Sequence, residues 1–288
     1  MRDRLTEAGF AAGWRVVRAL PLPVARALFT AAADRAYRSN GPGTRRLRGN
    51  LARVVPVEAL EDTVRAGLRS YARYWMEAFR LPSQSRAQTL AAFHMAPEHQ
   101  GQLKSAMADG NGVVLALPHV GNWDAAAAWV AANGWPMITV VERLKPEGVF
   151  RQFVAYRESL GMEVVPLTGG ERPPLDVLAD RLAQGWAVAL LGDRDLSRSG
   201  VEVEFFGGRT RMPGGPAILA IRTGAPLYAA DLSFSPTQTV AVLRRITPPT
   251  EGPLNVRVKQ TTQALADAYA AGIAEHPQDW HMLQKLWL

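Results

Sequence analysis

Residues 112–124 read GVVLALPHVGNWD, an apolar run that ends in a short turn. Such a run, bounded by turn residues, is typical of a strand buried on both faces of a parallel sheet. We therefore predict a buried strand over residues 112–117. The turn leads into an alanine-rich segment over residues 125–132, which we predict to be a helix.

Short apolar runs alternate with helical patterns along the rest of the chain. This alternation indicates parallel strands joined by crossover helices. The last two predicted strands follow one another without a helix, which suggests an antiparallel edge. We predict an α/β fold with a central mixed, mostly parallel sheet flanked by helices, and an amphipathic helical N-terminal region. The further predicted strands span 137–141, 162–166, 187–191, 227–234 and 240–246, and the helices span 149–160, 175–182, 214–222 and 256–274.

The composition fits one folded domain without a metal. With 288 residues, 48% of them hydrophobic and 20% charged, the chain suits a single large α/β domain. We predict one domain over 1–288, mainly helical over 1–100 and with its α/β core over 112–288. The absence of cysteine excludes disulfides, thiolate metal sites and a cysteine nucleophile. The five histidines have no ligand-like spacing with acidic residues, so we expect no metal.

The net charge of +7 and the pI near 10.1 predict an anionic partner, either nucleic acid or an anionic membrane surface. Ten arginines and only three acidic residues lie within residues 1–50. Apolar residues recur every three or four positions over residues 5–37, which predicts two amphipathic helices broken at Pro21-Leu-Pro23. These helices either lie in a membrane interface or pack their apolar faces on the domain.

We expect neither a membrane-spanning helix nor a secretory signal, because arginines interrupt the N-terminal segment before an apolar run of about 18 residues accumulates. The expected product is a peripheral protein on the cytoplasmic face of the plasma membrane. A further helix is predicted over residues 57–79, and its aromatic residues have the helical spacing more typical of a core than of a ligand site.

His119 follows the predicted strand 112–117, at the strand end where a parallel sheet opens its crevice. Asp124 comes five residues later, in the first turn of the next helix. A tight turn would let the carboxylate accept the Nδ1 proton and leave Nε2 as a general base. Backbone N–H groups near Gly121 and Asn122 would stabilise an oxyanion. The alternative interpretation is a loop histidine with ordinary hydrogen bonds.

The motif Pro-His-x-Gly-Asn-Trp-Asp of residues 118–124 resembles the His-x4-Asp/Glu signature of the glycerolipid acyltransferase superfamily. In this form it looks like the branch that contains the bacterial late acyltransferases of lipid A synthesis and the actinobacterial phosphatidylinositol mannoside acyltransferases. The resemblance covers most of residues 112–220. The first hundred residues are compatible with the family but add nothing more specific. It includes residues 141–146, 153–161, 167–173, 192–200 and 203–207.

The resemblance implies transfer of a fatty acyl group from acyl-CoA to a mannose of phosphatidylinositol mannosides, with no cofactor beyond acyl-CoA as co-substrate. His119 would be the general base and Asp124 its orienting carboxylate. A further acidic residue assists the histidine in these enzymes. Asp193 is the best positional match, with Asp195 and Glu202 as alternatives.

The resemblance also places Glu142 and Arg157 in the pocket for the polar headgroup. We add Asn122 and Arg194 as substrate-binding candidates, since Arg194 belongs to an arginine cluster with Arg198, Arg209 and Arg211 that suits phosphate. The alternatives are a helix-capping carboxylate for Glu142 and a surface salt bridge for Arg157. A solvated basic loop is the alternative for the arginine cluster.

Two other classes of protein fit parts of the sequence. A hydrolase would use the same histidine, but the chain has no Gly-x-Ser-x-Gly elbow. A nucleic-acid-binding protein would explain the charge, but the sequence has no zinc finger, RNA-recognition aromatic pair or clear helix-turn-helix. We expect acyl-CoA, a phosphatidylinositol mannoside or related glycolipid, and an anionic membrane surface as partners, and no nucleic acid. A lipid A precursor or a lysophospholipid remains the alternative acceptor.

Overall fold

A computed structural model describes residues 13–143, 145–195 and 199–288. Its centre is a seven-stranded sheet, and a separate two-stranded antiparallel hairpin lies beside it. The sheet contains β1 (Phe93–Met95), β2 (Val113–Leu117), β3 (Met137–Val141), β4 (Met162–Pro166), β5 (Ala187–Leu191), β8 (Leu227–Phe234) and β9 (Thr239–Ile246), and the hairpin contains β6 (Val201–Phe205) and β7 (Gly208–Met212).

The sheet has the order β1-β9-β8-β2-β5-β3-β4. Strands β8, β2, β5, β3 and β4 run parallel, β9 is antiparallel to β8, and β1 is parallel to β9. The predicted mixed, mostly parallel α/β sheet is therefore confirmed. Strand β1 was not predicted, and it brings part of the mainly helical first hundred residues into the sheet.

Helices surround the sheet and form the N-terminal part. Helix α4 packs against α2 and α3 and also against a short 3-10 turn, Pro277–Asp279. The helices are α1 (residues 13–19), α2 (Leu22–Ser39), α3 (Pro42–Leu51), α4 (Val57–Arg80), α5 (Arg86–Ala91), α6 (Pro97–Ala108), α7 (Trp123–Ala132), α8 (Glu147–Ser159), α9 (Pro174–Leu182), α10 (Gly215–Thr223) and α11 (Leu254–Glu275).

The first two helices pack on the domain through one face. The Trp14 ring lies 5.4 Å from Phe79 and 5.4 Å from Tyr156. Arg80 Nη1 donates to the Leu20 carbonyl at 2.7 Å, at the break between α1 and α2 that was predicted around Pro21. The packing interpretation therefore holds for this stretch. Residues 1–12, where the predicted first helix begins, lie outside the described residues.

The opposite face of these helices keeps apolar side chains in solvent. Val16, Val24 and Leu28 are 57%, 44% and 55% exposed, and Leu22 is 39% exposed. Arginines lie between them in the sequence. Among the described helices, none combines the length and the hydropathy needed to cross a bilayer.

Candidate active site

The register of the two central strands brings His119 and Asp193 together. Leu117 at the end of β2 pairs with Leu191 at the end of the parallel strand β5. His119 and Asp193 each follow two residues later, so both lie at the carboxyl edge of the sheet. This is the edge at which open α/β sheets bind their ligands.

Asp193 is fully buried and accepts three hydrogen bonds. Its Oδ1 lies 2.5 Å from His119 Nδ1, and its Oδ2 accepts from the His119 backbone N–H and from Trp280 Nε1, both at 3.0 Å. Burial alone would raise the pKa of Asp193, but the charge and hydrogen bonds of His119 outweigh it, so the pKa is lowered. An ionised Asp193 keeps a proton on His119 Nδ1 and leaves the Nε2 lone pair for chemistry.

Asp124 does not take the position that we predicted for it. Its Oδ1 accepts from Arg157 Nε at 3.0 Å and its Oδ2 accepts from the Tyr74 hydroxyl at 2.9 Å. The partner of His119 Nδ1 is Asp193 instead. The physical reason is burial: Asp124 is only 2% exposed, and a carboxylate removed from water needs a cation and hydrogen bonds. Asp124 thereby ties α7 to α8 and α4.

Asn122 holds the turn rather than facing a substrate. It is fully buried and is the N-cap of α7, where its Oδ1 accepts from the Ala125 N–H at 2.9 Å. Its Nδ2 donates to Glu77 Oε2 at 3.1 Å. The predicted substrate contact through this side chain is therefore replaced by a structural role.

Gly121 allows the turn to pass close to strand β8. Its φ is +53°, and a Cβ there would lie 3.0 Å from the backbone of Leu232, so only glycine fits without strain. Its N–H donates to the Asp279 carbonyl at 3.0 Å. The Gly121 donor that we predicted for an oxyanion is thus already engaged.

Residues 279–281 contact the histidine turn, a feature that sequence reasoning missed. Trp280 forms an antiparallel bridge with Val120, and the His281 N–H donates to the His119 carbonyl at 2.8 Å. Trp280 also reaches Asp193, which lies 87 residues earlier. The sequence offers only a Trp-His pair just beyond the last predicted helix, and no local pattern connects that pair with the turn.

A cavity of about 720 Å³ opens beside His119. Glu142, Arg157 and Arg194 also line it, so three of the four predicted substrate-binding side chains share a space with the histidine. Arg194 Nη2 lies 3.5 Å from Glu142 Oε2. Most of the wall is apolar and includes Phe93, Leu115, Leu117, Ala127, Trp129 and Leu190.

Asp195 and Glu202, the alternatives to Asp193, form other contacts. Asp195 accepts from the Gly200 N–H at 2.9 Å, and Glu202 pairs with Arg209 on the β6–β7 hairpin. Arg198 lies outside the described residues. Among the residues that the structure describes, no group of three or more His, Asp or Glu side chains is placed to hold a metal ion.

The chain matches one family profile and several named proteins. The profile of the family described as bacterial lipid A biosynthesis acyltransferase matches residues 5–288. A phosphatidylinositol mannoside acyltransferase of Mycolicibacterium smegmatis is 50% identical over 289 residues, which cover 99% of this chain and 92% of the relative. Proteins of the same name from two strains of Mycobacterium tuberculosis are 47% identical over 286 residues, covering 98% of this chain and 89% of each relative.

Proposed function

Because the chain belongs to the bacterial lipid A biosynthesis acyltransferase family, we propose that it transfers a fatty acyl group from acyl-CoA to a mannose hydroxyl of a phosphatidylinositol mannoside. The family and the names of the relatives support acyltransferase activity. The observation that carries the proposal is the His119–Asp193 pair, whose histidine lines a mostly apolar cavity.

The chemistry is direct transfer in a complex of both substrates. His119 Nε2 removes the proton of the mannose hydroxyl as that oxygen bonds to the thioester carbonyl carbon. The tetrahedral intermediate collapses with cleavage of the C–S bond, and the coenzyme A thiolate takes the proton from the imidazolium. Asp193 stays ionised throughout and stabilises the positive charge that His119 carries between these steps.

The oxyanion of the intermediate requires an N–H donor at the cavity wall. Trp123 Nε1 and Arg194 Nε are buried donors without a hydrogen-bond partner in the described part of the chain, and both side chains line the cavity. The Trp123 ring lies 5.5 Å from the His119 ring, in an edge-to-face arrangement. We assign oxyanion stabilisation to one of these two donors.

The two substrates suit different parts of the cavity. The fatty acyl chain is apolar, and the apolar wall of the cavity suits it. Glu142 is half exposed at the end of β3, and with Arg194 it offers polar contacts to a sugar or a phosphate. Arg157 commits its Nε to Asp124, so it acts mainly by fixing that carboxylate.

We propose that the exposed apolar face of α1 and α2 lies on the cytoplasmic face of the plasma membrane. Val16, Val24 and Leu28 would enter the interface while the arginines between them meet anionic lipid headgroups. This placement would hold the enzyme against the membrane that contains its acceptor.

The test is transfer of a radiolabelled palmitoyl group from palmitoyl-CoA to purified phosphatidylinositol mannosides, run beside a lipid A precursor and a lysophospholipid. His119→Ala is the inactive control. We expect the wild-type protein to label phosphatidylinositol mannoside and the His119→Ala variant not to label it. Labelling of another lipid would show that the enzyme uses a different acceptor, and release of free fatty acid alone would indicate a hydrolase.

A further inference from the structure

Residues 279–281 hold the histidine turn through backbone hydrogen bonds. Two backbone hydrogen bonds join the two segments and together form the antiparallel bridge between Val120 and Trp280: the His281 N–H donates to the His119 carbonyl, and the Gly121 N–H donates to the Asp279 carbonyl. The turn is therefore fixed along its length, and the position of the imidazole depends on this segment.

The segment is itself anchored by buried side chains. Asp279 Oδ1 accepts from the Ser70 hydroxyl at 2.6 Å, and its Oδ2 accepts from the Phe234 N–H at 2.8 Å. The Ser70 hydroxyl also lies 2.9 Å from His281 Nε2. Asp279 and His281 are almost fully buried, so these bonds face no competition from water. Helix α4 and strand β8 thus fix the orientation of Trp280.

Trp280 is fully buried, and its indole Nε1 donates to Asp193 Oδ2 at 3.0 Å. An indole nitrogen can only donate a hydrogen bond. The rings of Phe205 and Phe206 pack at 5.9 and 6.0 Å from it and prevent it from turning away. Asp193 therefore has a second side-chain contact that keeps its carboxylate in the plane needed by His119.

We propose that Trp280 is a positioning residue that fixes Asp193 and thereby sets the orientation and basicity of His119. The proposal rests on the general-base role given to His119 above, which it deepens. Removal of the indole N–H would leave Oδ2 with one backbone donor and would concentrate negative charge near His119. The protonated imidazole would gain stability, so His119 would become active only at higher pH.

The buried side chains of Tyr269 and His281 also lie near this pair, and burial moves the pKa of each away from neutral pH. Tyr269 of α11 lies against Gly192, and burial, with a smaller contribution from Asp193, raises its pKa well above 10. Burial lowers the pKa of His281 to about 3, with a smaller contribution from His119. Arg194 follows Asp193 in the chain, and its Nη2 lies 3.5 Å from Glu142 Oε2.

The experiment compares Trp280→Phe with Trp287→Phe as the matched control. The Trp287 ring also packs against Phe205, at 6.1 Å, but its buried Nε1 has no hydrogen-bond partner among the described residues. For Trp280→Phe we expect kcat to fall by about 10- to 100-fold, because a hydrogen bond to a charged group is lost. The KM for palmitoyl-CoA should change by less than about threefold, since the acyl cavity is untouched.

The pH dependence separates positioning from a merely structural role. In Trp280→Phe the acidic limb of the pH profile of kcat/KM, and the NMR titration of the His119 ring, should move upward by about half a pH unit. Trp287→Phe should leave both unchanged. An unmoved titration in folded Trp280→Phe would overturn the proposal. Because the NMR titration needs no turnover, it tests Trp280 even if the proposed reaction is wrong.

A measurement on the unmodified protein covers the case in which Trp280→Phe does not fold. The indole N–H resonance of Trp280 should shift as His119 titrates, because both groups donate to the same carboxylate. The Trp287 resonance should not follow that titration. A Trp280 resonance that ignores the titration of His119 would also overturn the proposal.

Discussion

His119 and Asp193 lie beyond the ends of two adjacent parallel strands, each two residues after a pair of residues that face each other in the sheet. Their side chains meet, with His119 Nδ1 and Asp193 Oδ1 2.5 Å apart. The chemistry of the site follows from this pairing, because it leaves Nε2 directed away from the carboxylate. Asp124, the acidic residue of the same sequence motif as His119, instead accepts hydrogen bonds from Arg157 and Tyr74.

Asp193→Asn should lower kcat by about 10²- to 10⁴-fold while the protein remains folded, because the amide no longer stabilises the imidazolium or fixes its tautomer. The measurement is acyl transfer together with the far-UV circular dichroism spectrum. His94→Ala, at an exposed histidine of β1, is the control and should keep full activity. An Asp193→Asn enzyme with normal turnover would remove Asp193 from the mechanism.

Asp124→Ala should act through stability. It leaves the mostly buried Arg157 without its carboxylate, and we expect the free energy of unfolding to fall by about 3–5 kcal/mol. Urea denaturation measures this change. Asp180→Ala is the comparison, since it removes a half-exposed ion pair with Arg172 and should change stability by less than about 1 kcal/mol. Normal stability with lost activity in Asp124→Ala would give Asp124 a direct chemical role.

His281 should make the protein less stable at acidic pH. Burial lowers its pKa to about 3, so between pH 6.5 and 3 the unfolded chain binds a proton that the folded protein does not. Its contribution to the free energy of unfolding is therefore lost as pH falls, by up to about 1.4 kcal/mol per pH unit. His281→Gln should flatten the pH dependence in this range.

The control for that series is His94→Gln, which alters an exposed histidine and should keep the wild-type slope. Thermal or urea unfolding at several pH values between 4 and 7 provides the data. Equal slopes for His281→Gln and the wild type would mean that His281 takes up a proton in the folded protein.

Val24→Glu with Leu28→Glu should weaken binding to anionic vesicles by about tenfold or more, because the exposed face of α2 loses apolar area and gains negative charge. Activity on detergent-solubilised acceptor should remain. Leu254→Glu is the control, because Leu254 is also 50% exposed but lies at the start of α11. Vesicle co-sedimentation that is equal in all three proteins would exclude α2 as the membrane contact.

The sequence predicted the elements whose periodicity is strong. Strands β3, β4, β5 and β8 have the predicted bounds, because each is a short apolar run with turn residues on both sides. Helix α4 and the break near Pro21 were also predicted. The missed elements are the short or polar ones: α3, α5, α6, β1 and the β6–β7 hairpin. In the hairpin, charged residues alternate with apolar ones, so no continuous apolar run marks its strands.

The site was predicted only where the motif and the strand ends gave a signal. The position of His119 after an apolar strand placed it at the carboxyl edge of the sheet, whereas Asp193 was proposed only from the family resemblance. Sequence spacing alone favoured Asp124, but spacing does not show which way a carboxylate in the first turn of a helix points. The contribution of Ser70, Asp279 and Trp280 depends on contacts across more than 80 residues, which no local pattern encodes.

The base, its carboxylate and the indole that holds the carboxylate come from segments 74 and 87 residues apart. A partly folded chain can contain the histidine motif without having an oriented base, because contacts of such long range cost loop-closure entropy before they stabilise the chain. Catalytic competence should therefore be acquired in the last cooperative step of folding. Enzyme activity and global structure should disappear together on denaturation, and no active fragment should persist.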